Sequence, residues 1–212
     1  MRYTSVKEAQ DDHINNYRSD GIRNGKGTRY SADFHRVQWI VDSVPKEAYV
    51  LDVGCNSGVV SVRLNSKNCY CRAIDIVDEL VLQAQKNGVA AKKGTAENLS
   101  QFVNGKFDVV VCTEVLEHLY DPLVAIKEAH RVLKQGGKYV ITVPHPHSIM
   151  NDKLGDYHQT NFTIEILHTL LYSVFEKNTC SFVEIPYVEE YCAVNNINKN
   201  RPQWLGIICR KI

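Results

Sequence analysis

Glu114, Glu117 and His118 form an E-x-x-E-H string within a chain of 212 residues. Spacings of three and four bring Glu114 beside both Glu117 and His118 if the segment makes one helical turn. Two carboxylates and an imidazole form part of a shell for a divalent ion, and carboxylates suit Mg2+ or Mn2+. His158, in Tyr157-His158-Gln159-Thr160-Asn161, could fold over as a fourth ligand. A local reading stands beside this one: Glu114 orders the loop, and His118 caps the next turn or acts as a base. Two more imidazoles, His145 and His147, alternate with Pro144 and Pro146. Either could serve as a general base, since imidazole titrates near pH ~6.5; the alternative is packing and hydrogen bonding within a loop.

A second group of residues points to a ligand with its own chemistry. In Val50-Leu51-Asp52-Val53-Gly54-Cys55-Asn56-Ser57-Gly58 an apolar strand runs into an acid and a glycine-bracketed turn. Gly54 and Gly58 lack a Cβ, so the backbone can approach a ligand closely. The turn opens onto a helix expected over Ser57–Asn65, whose first N–H groups are unsatisfied. A dinucleotide would want a third glycine and would be repelled by Asp52. An acid there suits a ligand with a cationic amino-acid end, such as S-adenosylmethionine.

Alternating elements must position these residues. Apolar Phe34, Val37, Ile40 and Val41 recur at helical spacing up to Ser43, before Pro45. Strands are expected at Ala48–Gly54, Cys69–Ile76, Val89–Thr95, Phe107–Thr113 and Lys138–Val143. Between them lie helices at Asp78–Lys86, stopped by Gly88, and at Pro122–Lys134, stopped by Gly136-Gly137. A helix at Thr163–Phe175 and strands near Cys180–Val188 and Trp204–Arg210 complete the chain. Such alternation implies right-handed crossovers and a parallel sheet covered by helices on both faces. Ligands then bind at the carboxyl ends of the strands. Those ends carry Gly54, Asp75 with Ile76, Thr95-Ala96-Glu97 and Cys112-Thr113-Glu114. Asp75 follows Asp52 by about the ~20 residues expected of an acid that binds ribose hydroxyls; a turn or helix-cap aspartate is the alternative. Ala96 and Glu97 stand where an adenine edge would lie.

The stretches Val50–Gly58, Asp75, Phe107–Pro122 (FDVVVCTEVLEHLYDP) and Arg131–Val143 (RVLKQGGKYVITV) together resemble the class I S-adenosylmethionine-dependent methyltransferases. The resemblance runs from Ala32 to Arg210 and is closest to the ubiquinone-biosynthesis O-methyltransferase-like branch. It implies a Rossmann-like, doubly wound, mostly parallel seven-stranded sheet with the last strand antiparallel. It implies cofactor contacts at Gly54, Asp75 and Thr113, with Arg36 reaching the cofactor carboxylate; a solvated helix face is the other reading of Arg36. Ubiquinone-type O-methyltransferases use a metal at positions resembling Glu114, Glu117 and His118. Enzymes that methylate the 3′ end of small RNAs add a later histidine placed like His158. Asn56 and Ser57 replace a glycine often found in the turn, and Thr95 replaces the usual acid.

Bulk composition narrows the partners. Lys plus Arg total 25 against 24 Asp plus Glu, which gives no footprint for a long polyanion and argues against a nucleic-acid partner. With 44% hydrophobic residues the chain is expected to form one globular domain over 32–212, preceded by an N-terminal arm or lid over 1–31. No apolar run is long enough to span a bilayer. Met1–Gln10 is polar, so no signal peptide is expected, and the seven cysteines are read as buried free thiols in a cytoplasmic protein. The expected activity is methyl transfer to a hydroxyl of a small-molecule or glycan-type acceptor. An RNA-terminal 2′-O-methyltransferase and a non-catalytic cofactor-binding partner subunit are the alternatives. A nicotinamide-dependent dehydrogenase is disfavoured by the missing third glycine.

Overall fold

The computed structural model describes residues 5–19, 34–148, 158–187, 192 and 198–212. In chain order the elements are α1 (Val6–Ser19), α2 (Phe34–Ser43), β1 (Tyr49–Val53), α3 (Val59–Ser66), β2 (Tyr70–Asp75), α4 (Asp78–Lys86), β3 (Ala90–Lys93), β4 (Phe107–Thr113), α5 (Pro122–Val132), β5 (Leu133–Pro144), α6 (Ile164–Tyr172), β6 (Cys180–Pro186) and β7 (Pro202–Arg210). One 3-10 turn covers Leu116–His118 and another Lys177–Thr179. The strands form one sheet in the order β3-β2-β1-β4-β5-β7-β6. Pairs among β1 to β5 are parallel, while β7 runs antiparallel to both β5 and β6. The antiparallel seventh strand separates this sheet from the 3-2-1-4-5-6 order of dinucleotide-binding domains.

Strand alternation divides the core into two layers. Val50, Val109 and Val111 pack with Val37, Ile40, Val60 and Leu64 on one face. Leu51, Val110 and Cys112 pack with Ile126, Ala129 and Leu167 on the other. A strand buried on both faces reads as a continuous apolar run, which is why Val109-Val110-Val111 is recognisable as central. Asp121 caps α5, accepting from the Leu123 and Val124 amides at 3.0 and 3.2 Å, with Pro122 in the first turn.

Several expectations are corrected. The helix after Asp121 ends at Val132, not Lys134, because Leu133 pairs with Phe107 at the start of β5. Gly136 (φ 76°) and Gly137 therefore serve an irregular strand entry, not a helix cap; a Cβ on Gly137 would sit 2.8 Å from the Lys134 carbonyl. α3 begins at Val59, since Asn56 and Gly58 adopt left-handed backbone that a helix cannot use. The free-thiol reading holds for Cys55, Cys69, Cys71, Cys112 and Cys192 but fails for Cys180 and Cys209. Antiparallel register sets Cys180 opposite Cys209, and the two form a disulfide across β6 and β7. The arm is partly built in: α1 buries Ala9, while 20–33 lies outside the described residues. Among the described residues no helix is long and apolar enough to cross a membrane.

Candidate active site

The glycine turn is tied to β2 before any ligand arrives. The Gly54 and Cys55 amides both donate to the Ile74 carbonyl, at 2.9 and 3.0 Å. Gly54 (φ 72°) and Gly58 (φ 87°) need glycine for their backbone. A side chain at either position would also meet neighbouring protein. A Cβ on Gly54 would meet Val115 Cγ2 at 2.3 Å, and one on Gly58 would meet Val89 Cγ2 at 2.8 Å. Between them Asn56 (φ 50°) donates its amide to Asp75 Oδ2 at 2.8 Å. The Val77 amide donates to Asp75 Oδ1 at 3.0 Å. Asp75, buried at the end of β2, is thereby fixed with one oxygen on each side of the turn, and half-buried Ile76 follows it.

Asp52 holds a different place from the one expected. It is 1% exposed and accepts the Ser61 hydroxyl at 2.7 Å, so its carboxylate supports the first turns of α3 from below. Burial, with the Asp75 charge adding to it, pushes Asp52 from 3.8 up to about 6. The folded value lies above the unfolded one, so this group's stabilisation is complete below pH ~4 and is lost as pH rises through about 6. The full displacement corresponds to on the order of 3 kcal/mol. Asp52→Asn keeps an acceptor for Ser61 and removes the charge. Thermal melts of the ligand-free protein should therefore show the variant more stable at pH 8, the gap closing toward pH 4; equal melting curves at pH 8 would contradict it.

The third strand end meets the N-terminal helix. Gln10 Nε2 on α1 donates to Thr95 Oγ1 and to Glu97 Oε2, both at 3.1 Å. Glu97 Oε1 accepts the Asp121 amide at 3.0 Å, and Ala96 between them is buried. Val6, Gln10, Thr95, Glu97 and Tyr120 are among the residues that line a cavity of about 380 Å3. Gln10 is a contact that sequence reasoning missed, because nothing in a polar N-terminal helix marks the residue that will face Thr95.

At the end of β4, Thr113 is buried and the E-x-x-E-H string divides. Glu114 turns into left-handed backbone (φ 55°), and its amide donates to the Thr142 carbonyl at 2.9 Å. Its Oε1 accepts the Thr142 hydroxyl and its Oε2 the Trp204 indole N–H, each at 3.0 Å. The structure gathers the other three expected ligands: Glu117, His118 and His158 each offer an atom within 4.8 Å of one another. Glu114 is not gathered with them, because its left-handed backbone breaks the helical turn and its carboxylate lies on Thr142 and Trp204.

Glu117 is 1% exposed, and neither of its carboxylate oxygens has a hydrogen-bond partner. Burial, reinforced by the Glu114 charge and opposed by Arg36, pushes its carboxyl well above the usual range. The Gln159 and Thr160 amides donate to the Glu117 carbonyl at 2.7 and 3.3 Å, which seats His158 beside His118, ring centroids 5.2 Å apart. Burial holds His158 below its ordinary value, so it is neutral near pH 7 with a lone pair to offer. Tyr157, which precedes His158, lies outside the described residues.

The remaining histidines are placed apart from this trio. His145 is buried; its Nδ1 accepts the His147 amide at 3.1 Å and its Nε2 stands 3.4 Å from Glu184 Oε1. Its own amide donates to the Gln203 carbonyl at 2.9 Å, which sets it at the junction of β5, β6 and β7. His147 is exposed, and its carbonyl accepts from Arg201. Arg36, on α2, lies with its guanidinium 5.5 Å from the centroid of the Trp204 ring.

Residues 51–141 match the family model described as a methyltransferase domain. That span, less than half of the chain, is similar to methyltransferase domains. A ubiquinone biosynthesis O-methyltransferase of Pseudomonas paraeruginosa is 34% identical over 114 residues, covering 50% of this chain and 49% of that protein. One from Xanthomonas oryzae pv. oryzae is 37% identical over 101 residues, 45% of this chain and 42% of that protein. The chain thus matches about half the length of these curated relatives. A Thermotoga maritima structure, described as an S-adenosylmethionine-dependent methyltransferase and possible histamine N-methyltransferase, has the same fold. It aligns with TM-score 0.74 at 20% identity, over 98% of this chain and 100% of that one.

Proposed function

We propose that the protein transfers a methyl group from S-adenosylmethionine to a hydroxyl of a small molecule, with a divalent metal held by Glu117, His118 and His158. The observation that carries the donor assignment is Asp75, fixed by the Asn56 and Val77 amides beside the glycine turn. An acid at the end of the second strand is the group expected to meet ribose hydroxyls. Asp52 and Asp75 together give the turn a negative field that suits a cationic ligand, and the O-methyltransferase relatives support oxygen as the acceptor atom.

The metal reading rests on the orphaned, buried carboxylate of Glu117 beside two imidazoles. Burying a carboxylate without partners is costly unless a cation completes it. Two imidazoles with one carboxylate favour Mn2+ or another transition metal over Mg2+. An ion there would lower the pKa of an acceptor hydroxyl bound to it. For their part, Glu117 supplies negative charge from a dry site, neutral His158 supplies a lone pair, and the 159–160 backbone keeps His158 in place. Transfer itself is an in-line displacement, to which the protein contributes proximity and alignment.

One observation favours a second reading: a later histidine folded onto E-x-x-E-H also suits methylation of a terminal RNA 2′-hydroxyl. The near-neutral charge of the chain speaks against it. Methyl-labelled S-adenosylmethionine should be offered with phenols, sugars, amines and a short RNA, with Mn2+ or with EDTA. Label on a small hydroxyl compound that EDTA removes is the expected result. Metal-independent label on an amine, or label confined to the RNA 3′ end, would overturn the proposal.

A further inference from the structure

We propose that Asn87, at the C-terminal end of α4, is a positioning residue that holds the glycine turn in its binding shape and so sets the affinity of the turn for its ligand, a role that rests on the cofactor reading above. Its side-chain Nδ2 donates to the Ser57 carbonyl at 2.9 Å, across 30 residues of sequence. The base of that side chain is seated first: the Asn87 amide donates to the Gln83 and Ala84 carbonyls at 3.0 and 3.1 Å as α4 ends. The same helix end packs against the turn. A Cβ on Gly58 would sit 2.8 Å from Val89 Cγ2 and 3.3 Å from Ala84 Cβ. Packing thus secures the buried Gly58, while Asn87 secures the exposed side of the turn.

The turn needs such a brace because its backbone is unusual. Gly54, Asn56 and Gly58 all have positive φ, and Asn56, unlike glycine, meets a steric penalty there. Asn56 Oδ1 accepts the Ser57 amide at 2.7 Å, and the Asn56 amide goes to Asp75 at 2.8 Å. Ser57 is therefore held on both sides, its N–H by Asn56 and its carbonyl by Asn87. Without Asn87 the 56–58 backbone regains conformational freedom, and Asp75, which shares the Asn56 amide, is less firmly fixed. A ligand that meets a loosened turn must order it again, which lowers affinity. A hydrogen bond at an exposed side chain is largely replaced by water when lost, so global stability should hardly change. Affinity and melting temperature are thereby separable at this position.

The test combines calorimetric titration with S-adenosylhomocysteine, melting curves and amide hydrogen exchange. Asn87→Ala should weaken S-adenosylhomocysteine about fivefold, the effect of one neutral hydrogen bond, with the melting temperature of the ligand-free protein within about 2 °C of wild type. In that ligand-free variant the Ser57 and Gly58 amides should exchange faster while those of β1 and β4 keep their protection. Asn87→Gln, which keeps the donor, should recover most of the lost affinity. Asn104→Ala removes an equally exposed side-chain bond, to Arg131 at 2.7 Å, and should leave affinity unchanged. Wild-type affinity in Asn87→Ala, unchanged exchange at the turn, or a loss of affinity that Asn104→Ala matches would overturn the positioning role. A wild-type protein that does not bind S-adenosylhomocysteine would overturn the cofactor reading, and this proposal with it.

Discussion

Replacing Glu117 by methionine is expected to abolish metal binding and, in the metal-free protein, to raise the melting temperature. The two effects share one cause. Glu117 is 1% exposed with no hydrogen-bond partner on either oxygen, and the Arg36 charge and His118 Nε2, 4.0 Å from Oε1, offset its ionised form only in part. A methionine fills similar space with no polar group to desolvate. Relieving an unsatisfied buried group is worth about 1–3 kcal/mol, or roughly 2–10 °C for a chain of this size. The folded pKa of Glu117 is raised, chiefly by burial. Its contribution to stability is therefore present at low pH and lost as pH rises, so the advantage of the variant should grow toward alkaline pH. Added Mn2+ should stabilise wild type and leave the variant unmoved, with affinity reduced by more than about 100-fold. A variant less stable than metal-free wild type at pH 8, or one that still binds Mn2+ tightly, would contradict this.

Asp75→Ala should weaken cofactor binding by about 100-fold or more while the protein stays folded. Two losses combine. Charge-assisted hydrogen bonds to the ligand hydroxyls are worth about 1.5–3 kcal/mol each. The Asn56 and Val77 amides also lose their shared acceptor, which loosens the turn. Asp75→Asn is not a mild control, because its NH2 would face one of those two N–H donors. Both variants should therefore fail, and binding of S-adenosylhomocysteine measured alongside circular dichroism would check them. Undiminished affinity in Asp75→Ala would remove Asp75 from the site.

Much of the fold was legible because its signals are local. Val109-Val110-Val111 declares a central strand, Asp121-Pro122 a helix start, and Gly54 and Gly58 a turn that needs positive φ. Spacing from Asp52 points to Asp75, which lies buried beside the glycine turn, and the 159–160 backbone seats His158 beside Glu117 and His118. What escaped depends on register and on which strand lies beside which. Cys180 opposite Cys209 is a coincidence of antiparallel pairing across 29 residues of sequence. Glu114 looked like a ligand by spacing, yet a left-handed φ sends its carboxylate to Thr142 and Trp204, residues distant in sequence. Asp52 looked like a ligand contact, but Ser61, 9 residues on, closes over it from α3. Gln10 and Trp204 carry no motif at all; only the assembled sheet gives them neighbours.

Equilibrium dialysis of the wild-type protein against labelled S-adenosylmethionine tests the central claim most directly. Saturable binding of one molecule per chain, displaced by S-adenosylhomocysteine and lost in Asp75→Ala, is the predicted result. No retained label, or label that persists undiminished in Asp75→Ala, would contradict it.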